Sequence, residues 1–181
     1  MARIPYLTDT QVGPADLVAE IKARRGGELA ALDRILLHSP PVARGWGPLM
    51  GRVRNDLALP ARWRELAMCA VAVLNGAEYE WVHHLPLFHA AGGSEAQASA
   101  LRRLRVEPDQ ALLDPAFDAT ERALLRLAHE STVDVAVGQA TFDAARAVLA
   151  DDRQLFEYLM VVASYNMVSR LLVALDVRPE D

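Results

Sequence analysis

The 181-residue chain contains very little cysteine or lysine, and both shortages narrow its possible functions. Cys69 is the only cysteine, so the chain cannot form an internal disulfide or a redox couple of two thiols. Lys22 is the only lysine, the net charge is −5 and no basic tract occurs. We therefore do not expect nucleic acid as a partner, because nucleic-acid binding needs clustered positive charge.

Long apolar runs and alternating patterns are also missing. No uninterrupted apolar stretch is long enough to cross a bilayer, and the start of the chain, MARIPYLTDT, has no charged segment followed by an apolar one. We therefore expect no membrane partner and a cytoplasmic location. Strand-like alternation of apolar and polar residues does not occur, whereas helix caps and breakers recur, which predicts an all-α fold.

Several helix boundaries can be placed from local signals. Gly26-Gly27 ends an early helix, Ser39-Pro40 begins another, and Asn75-Gly76 separates two helices in the middle of the chain. Ser94 and Asp118 each start a helix with a capping box, whereas residues 107–115 are predicted to form a polar loop. Residues 153–175 form one long apolar helix, which must be buried against the core or a partner subunit. We expect a homo-oligomer, as a dimer, a trimer or a multiple of these.

Protonatable groups gather in residues 62–92. Glu65 lies in the apolar run RELAMCAVAVL, either as a first-turn acid that the helix dipole stabilises or as a functional carboxylate. After the Asn75-Gly76 break, Glu80 and His84 are four residues apart and share a helix face, so a carboxylate and an imidazole can exchange a proton. His83 is three residues from Glu80 and competes for that contact.

This stretch resembles the carboxymuconolactone decarboxylase and AhpD-like superfamily. In the alkylhydroperoxidase (AhpD) branch, a Glu, a Cys-x-x-Cys pair and a His occur at this spacing. Here Glu65 and His84 match the Glu and the His, while Ala77 and Glu80 stand at the two cysteine positions. The chain is thus similar to an EYEWxxH branch without the thiols, and the segment YNMVSR (residues 165–170) is similar to the same branch.

The resemblance implies an AhpD-like helical bundle. We predict a single all-α domain over residues 1–181, because a chain of this length can bury one core. Its N-terminal arm and helices (1–39) form a helical extension. A carboxymuconolactone-decarboxylase-like core (40–125) and C-terminal helices (126–181) follow.

The resemblance also implies the catalytic residues Glu65, Glu80 and His84. We expect Glu80 and His84 to approach within about 2.6–3.2 Å, directly or through one water, at the floor of an apolar pocket that Glu65 also reaches. Arg170 is suited to a substrate carboxylate, although an ion pair with an acidic residue is an equal alternative. The substrate-binding candidates are His83, Tyr79, Trp81, Trp46, His38, Tyr165, Asn166 and Arg170.

Three functions remain open from the sequence. The first is a cofactor-free acid/base enzyme that acts on a small carboxylate, lactone or enolisable carbonyl compound. The second is an AhpD-like hydroperoxidase of peroxiredoxin type, which needs two thiols that Ala77 and Glu80 do not supply. The third is a non-catalytic scaffold that binds a small molecule. We expect no metal, because no HEXXH motif occurs and the resemblance implies none, and we expect no other cofactor.

Overall fold

A computed structural model describes residues 2–180, and this part of the chain is helical without any strand. The predicted all-α fold is therefore confirmed. The helices are α1 (Ala15–Arg25), α2 (Ala31–Leu36), α3 (Pro40–Asn55), α4 (Ala61–Asn75), α5 (Glu78–Ala90), α6 (Glu95–Leu101), α7 (Pro108–Leu112), α8 (Ala119–Val133), α9 (Gln139–Val148) and α10 (Asp152–Ala174).

Most of the predicted helix boundaries are confirmed. Gly26 and Gly76 end α1 and α4 with φ values of 85° and 68°, a left-handed conformation that glycine adopts without steric cost. The Ser94 and Asp118 side chains accept hydrogen bonds from backbone N–H groups in the first turns of α6 and α8. The predicted loop over residues 107–115 is wrong in part, because Pro108 begins the short helix α7.

Helix α4 lies at the centre of the molecule. It packs most extensively against α5, α8 and α10, and nine consecutive residues from Glu65 to Val73 are buried. One side of α4, including Met68, joins the larger apolar cluster, whereas Leu66 joins a second cluster. A helix that is buried on both sides has to be apolar around its whole circumference. This burial explains why apolar residues surround Glu65 in the sequence of α4.

Helix α10 is buried on one face only. Tyr158 and Tyr165 are enclosed by the core, whereas Phe156 and Met167 are exposed on the opposite face. The outer face of this helix is thus free to contact a partner subunit, and the homo-oligomer stays a prediction. Within residues 2–180, no helix has both the length and the apolar character that a bilayer crossing requires.

Candidate active site

A cavity of about 160 Å³ opens beside the start of α5. Five helices form its wall: α1, α2, α3, α5 and α10. Its size is close to that of an engineered apolar cavity, on the order of 150 Å³, that binds benzene. The lining residues are Arg25, Leu32, Arg54, Tyr79, Glu80, His83, His84, Leu87, Tyr165 and Val168.

A chain of hydrogen bonds from four different helices reaches this cavity. His84 Nδ1 lies 2.7 Å from Glu65 Oε2, and His84 Nε2 lies 2.9 Å from the Tyr165 hydroxyl. The Tyr165 hydroxyl in turn accepts a hydrogen bond of 3.1 Å from Arg54 Nε. The donors of His84 and Tyr165 both find acceptors: His84 Nδ1–H donates to Glu65 and Tyr165 O–H donates to His84 Nε2.

Burial sets the protonation of two members of this chain. It lowers the pKa of His84, because an imidazolium loses its hydration in the interior, although the hydrogen bond and the charge of Glu65 act in the opposite direction. Burial also raises the pKa of Tyr165 to about 12, against the opposing charge of Arg54. Both groups are therefore neutral near pH 7, in agreement with the donor directions above.

Glu80 differs from every member of this hydrogen-bond chain because its carboxyl group has no partner in the part of the protein that the structure describes. It lines the cavity and is 2% exposed, and neither of its carboxyl oxygens makes a hydrogen bond within residues 2–180. Desolvation raises the pKa of Glu80 well above its ordinary value, and the charge of Arg54 offsets this only in part. Burial therefore favours the protonated form of Glu80 at the cavity wall.

The predicted direct hydrogen bond between Glu80 and His84 is wrong, whereas a contact through one water stays a prediction. Both ring nitrogens of His84 are already used, one by Glu65 from α4 and the other by Tyr165 from α10. Sharing a helix face brings two side chains near each other but does not decide which neighbouring helix offers the better acceptor. Glu65 therefore binds His84 from α4, while Glu80 and His84 each line the cavity without a hydrogen bond between them.

Two further predicted residues, Tyr79 and His83, line the cavity side by side. Their rings stack with centroids 4.2 Å apart, and His83 Nδ1–H donates to the backbone carbonyl of Tyr79 at 2.7 Å. Glu180, near the end of the chain, contacts both: Tyr79 donates to it at 3.3 Å, and His83 Nε2 lies 3.4 Å away. These residues form one rim of the cavity.

The sequence profile of the carboxymuconolactone decarboxylase family matches residues 40–130, half of the chain. The chain belongs to this family. The match includes Glu65, Ala77, Glu80 and His84. A comparison with functionally curated proteins finds no significant match.

Solved structures with the same fold include peroxidase-related proteins and a debrominase. One is the uncharacterized AhpD-core protein from Ralstonia eutropha JMP134, with 20% identity, coverage of 99% of this chain and 93% of that one, and a TM-score of 0.76. Another is from Silicibacter sp. TM1040, with 17% identity, 98% and 87% coverage and a TM-score of 0.71. The debrominase Bmp8 has 15% identity, 96% and 90% coverage and a TM-score of 0.73. These likenesses confirm the predicted AhpD-like fold.

The two tryptophans predicted to line the pocket of this family member lie elsewhere. Trp81 follows Glu80 by one residue, about 100° around the helix, so it packs in the second apolar cluster under the Arg102 guanidinium, 4.0 Å from the ring centroid. Trp46 is buried in the larger cluster and does not reach the cavity.

Three predicted polar residues are also absent from the cavity. His38 is exposed, and its Nε2 donates to the backbone carbonyl of Pro5 at 2.8 Å. Asn166 joins α10 to α8 by donating to Thr132 Oγ1 at 2.9 Å. Arg170 lies on the exposed face of α10, five residues and about 140° around the helix from Tyr165, so it points away from the cavity.

Arg54 and Arg25 line the cavity although the sequence interpretation did not select them. A signal for Arg54 exists in the sequence, because Trp46 and Met50 precede it at four-residue intervals and both are buried. Arg54 therefore continues the inner stripe of α3. Arg25 has no comparable signal, since it lies in the last turn of α1 and reaches the cavity only because α1 folds over it. Within residues 2–180, no three His, Cys, Asp or Glu side chains converge as metal ligands.

Proposed function

We propose that this protein is a cofactor-free acid/base enzyme that acts on a small lactone, carboxylate or enolisable carbonyl compound. The observation that carries the proposal is the carboxyl group of Glu80, which is buried in the cavity wall and has no protein partner within residues 2–180. A buried polar group without a partner destabilises the fold, so such a group is retained where it meets a ligand. Its raised pKa keeps a proton available near neutral pH.

Glu80 is the proton donor in this proposal. Ring opening of a lactone, enolisation and loss of carbon dioxide all develop negative charge on the substrate, and a positioned carboxylic acid neutralises it by proton transfer. The Arg54 guanidinium at the same wall stabilises that charge before the proton arrives. After the transfer, the Glu80 carboxylate faces the same guanidinium until it regains a proton.

The hydrogen-bonded series Glu65, His84 and Tyr165 serves as the second proton-transfer group. Glu65 fixes the tautomer of His84, so Nε2 accepts the hydroxyl proton of Tyr165. If Tyr165 takes a proton from the substrate, it passes its own proton to His84. The cavity then contains an acid at Glu80 and a base at Tyr165, which is what a proton shift within one substrate requires.

The hydroperoxidase alternative has less support. Peroxide reduction needs an accessible thiolate, whereas Cys69 is fully buried in the second apolar cluster and desolvation raises its pKa. Two solved structures with this fold are of peroxidase-related proteins, and one structure of the debrominase Bmp8 contains bound 2,3,4-tribromopyrrole. The tribromopyrrole complex supports a small, single-ring ligand for the cavity of the present protein.

The test is proton exchange in D2O, followed by proton NMR on a panel of small lactones and 2-oxo acids. We expect the wild-type protein to accelerate exchange or ring opening of at least one compound. Glu80→Gln keeps the shape but removes the transferable proton, so the rate should fall by about 10²- to 10⁴-fold. Glu78→Gln is the matched control, because Glu78 is exposed on the same helix and pairs with Arg102.

Two outcomes would count against the proposal. Turnover that survives Glu80→Gln would remove Glu80 from the chemistry. A wild-type protein that binds panel compounds without any exchange would instead favour the non-catalytic scaffold.

A further inference from the structure

The two arginine side chains at the cavity differ in whether a carboxylate binds them. Arg54 is half-buried, and its one hydrogen bond within residues 2–180 uses Nε and ends at the neutral Tyr165 hydroxyl. No carboxylate of these residues forms a salt bridge with it. Arg25, the other cavity arginine, is bound by Asp33 through two hydrogen bonds of 2.9 and 3.2 Å. The Arg54 guanidinium therefore lines the cavity without a carboxylate partner among residues 2–180.

The acidic residues near Arg54 do not supply the missing charge. Burial favours the neutral form of Glu80, and its oxygens make no contact with Arg54 at hydrogen-bond distance. Glu65 is on the far side of His84, and Arg64 Nε lies 3.8 Å from its second oxygen. A half-buried cation without a counter-charge is costly, and an anion in the cavity would relieve that cost.

We propose that the cavity binds a small monocarboxylate whose carboxylate group lies between the Arg54 guanidinium and the Glu80 carboxyl group. This inference rests on the proposed function and specifies its substrate class. The terminal nitrogens of Arg54 are free to donate a forked pair of hydrogen bonds, which is the geometry a carboxylate accepts. The hydroxyl of Glu80 supplies a further donor, and its partnerless oxygens gain a contact.

The remaining wall limits the ligand to one charge and a small apolar body. Leu32, Leu87 and Val168 line the cavity, and Asp33 binds the Arg25 guanidinium. A volume of about 160 Å³ suits a ligand of roughly six to eight non-hydrogen atoms, by comparison with benzene in a cavity of similar size. A second carboxylate would have to compete with Asp33 for Arg25, and with Glu180 for Tyr79 and His83.

The test is calorimetric titration of the purified full-length protein with three matched probes: butyrate, butyramide and succinate. Butyrate has one negative charge, butyramide has a similar shape without charge, and succinate has a second carboxylate. We expect butyrate to bind at least about tenfold more tightly than either of the others, since the discriminating contact is a charged hydrogen bond. This comparison needs no variant protein.

Variants then assign the contact to Arg54. Arg54→Gln should weaken butyrate binding by about 10- to 100-fold. Arg52→Gln should leave it unchanged, because Arg52 is exposed on the same helix and pairs with Asp56. Glu80→Gln retains a donor and should still bind butyrate while it loses turnover, so failure of the binding proposal can be distinguished from failure of the acid/base mechanism.

Three results would overturn the inference. The first is a wild-type protein that binds none of the three probes, and the second is butyramide or succinate binding as tightly as butyrate. The third is a folded Arg54→Gln variant that binds butyrate with wild-type affinity.

Discussion

The protonated state of Glu80 can be measured without any substrate, through the pH dependence of stability. In the unfolded chain the Glu80 carboxyl titrates near its ordinary pKa of 4.5, whereas burial raises its pKa well above that value in the folded protein. Between these two pKa values, the folded state retains a proton that the unfolded state has released. The free energy of unfolding must therefore fall as the pH rises through this window, and the stability is complete only below the unfolded pKa.

The magnitude follows from the linkage relation. One proton bound in the folded state but not in the unfolded state changes the free energy of unfolding by 2.303RT per pH unit. While the pH lies between the two pKa values of Glu80, the wild-type protein should lose up to about 1.4 kcal/mol per pH unit relative to Glu80→Gln, because the amide does not titrate. For a chain of this size, that slope corresponds to about 3–6 °C in Tm per pH unit.

The assay is urea unfolding followed by far-UV circular dichroism, at one protein concentration and several pH values. Glu78→Gln is the control for the same helix. Its partner Arg102 lowers the pKa of Glu78 through a hydrogen bond, so this carboxylate is ionised in both states across the window. The Glu78→Gln difference should therefore stay constant from about pH 5 to about pH 7. An equally flat difference for Glu80→Gln would refute the protonated acid and the mechanism built on it.

Three other predictions concern the relay, the thiol and the assembly. His84→Ala removes the hydrogen bond to the buried Glu65 and should cost about 3 kcal/mol in the free energy of unfolding, measured by the same urea assay; a loss below about 1 kcal/mol would contradict the relay. Cys69 should react with a thiol reagent only after unfolding, because it is fully buried, and Cys69→Ala should leave turnover within a few-fold; rapid labelling of the native protein, or lost activity, would revive the hydroperoxidase alternative. Light scattering should show a homo-oligomer that Phe156→Glu and Met167→Glu disrupt, since both side chains are exposed on the outer face of α10, and a wild-type monomer at micromolar concentration would contradict this.

Local signals in the sequence were sufficient for the helices and the family. Gly76 ends α4 because glycine adopts the left-handed conformation, and Ser94 and Asp118 begin helices through contacts within four residues. The order and spacing of Glu65, Glu80 and His84 likewise identified the family, since these are properties of a short segment.

The partners of each group in the cavity were decided only by tertiary packing. His84 and Glu80 are one helical turn apart, yet the two ring nitrogens of His84 point in opposite directions and meet atoms from α4 and α10. Arg54 and Tyr165 are 111 positions apart in the chain and share a hydrogen bond only because α3 and α10 cross at the cavity. Spacing along one helix defines which side chains share a face. Which donors and acceptors lie opposite that face, and whether a carboxyl group such as Glu80 is left without any, depends on the helices that pack across from it.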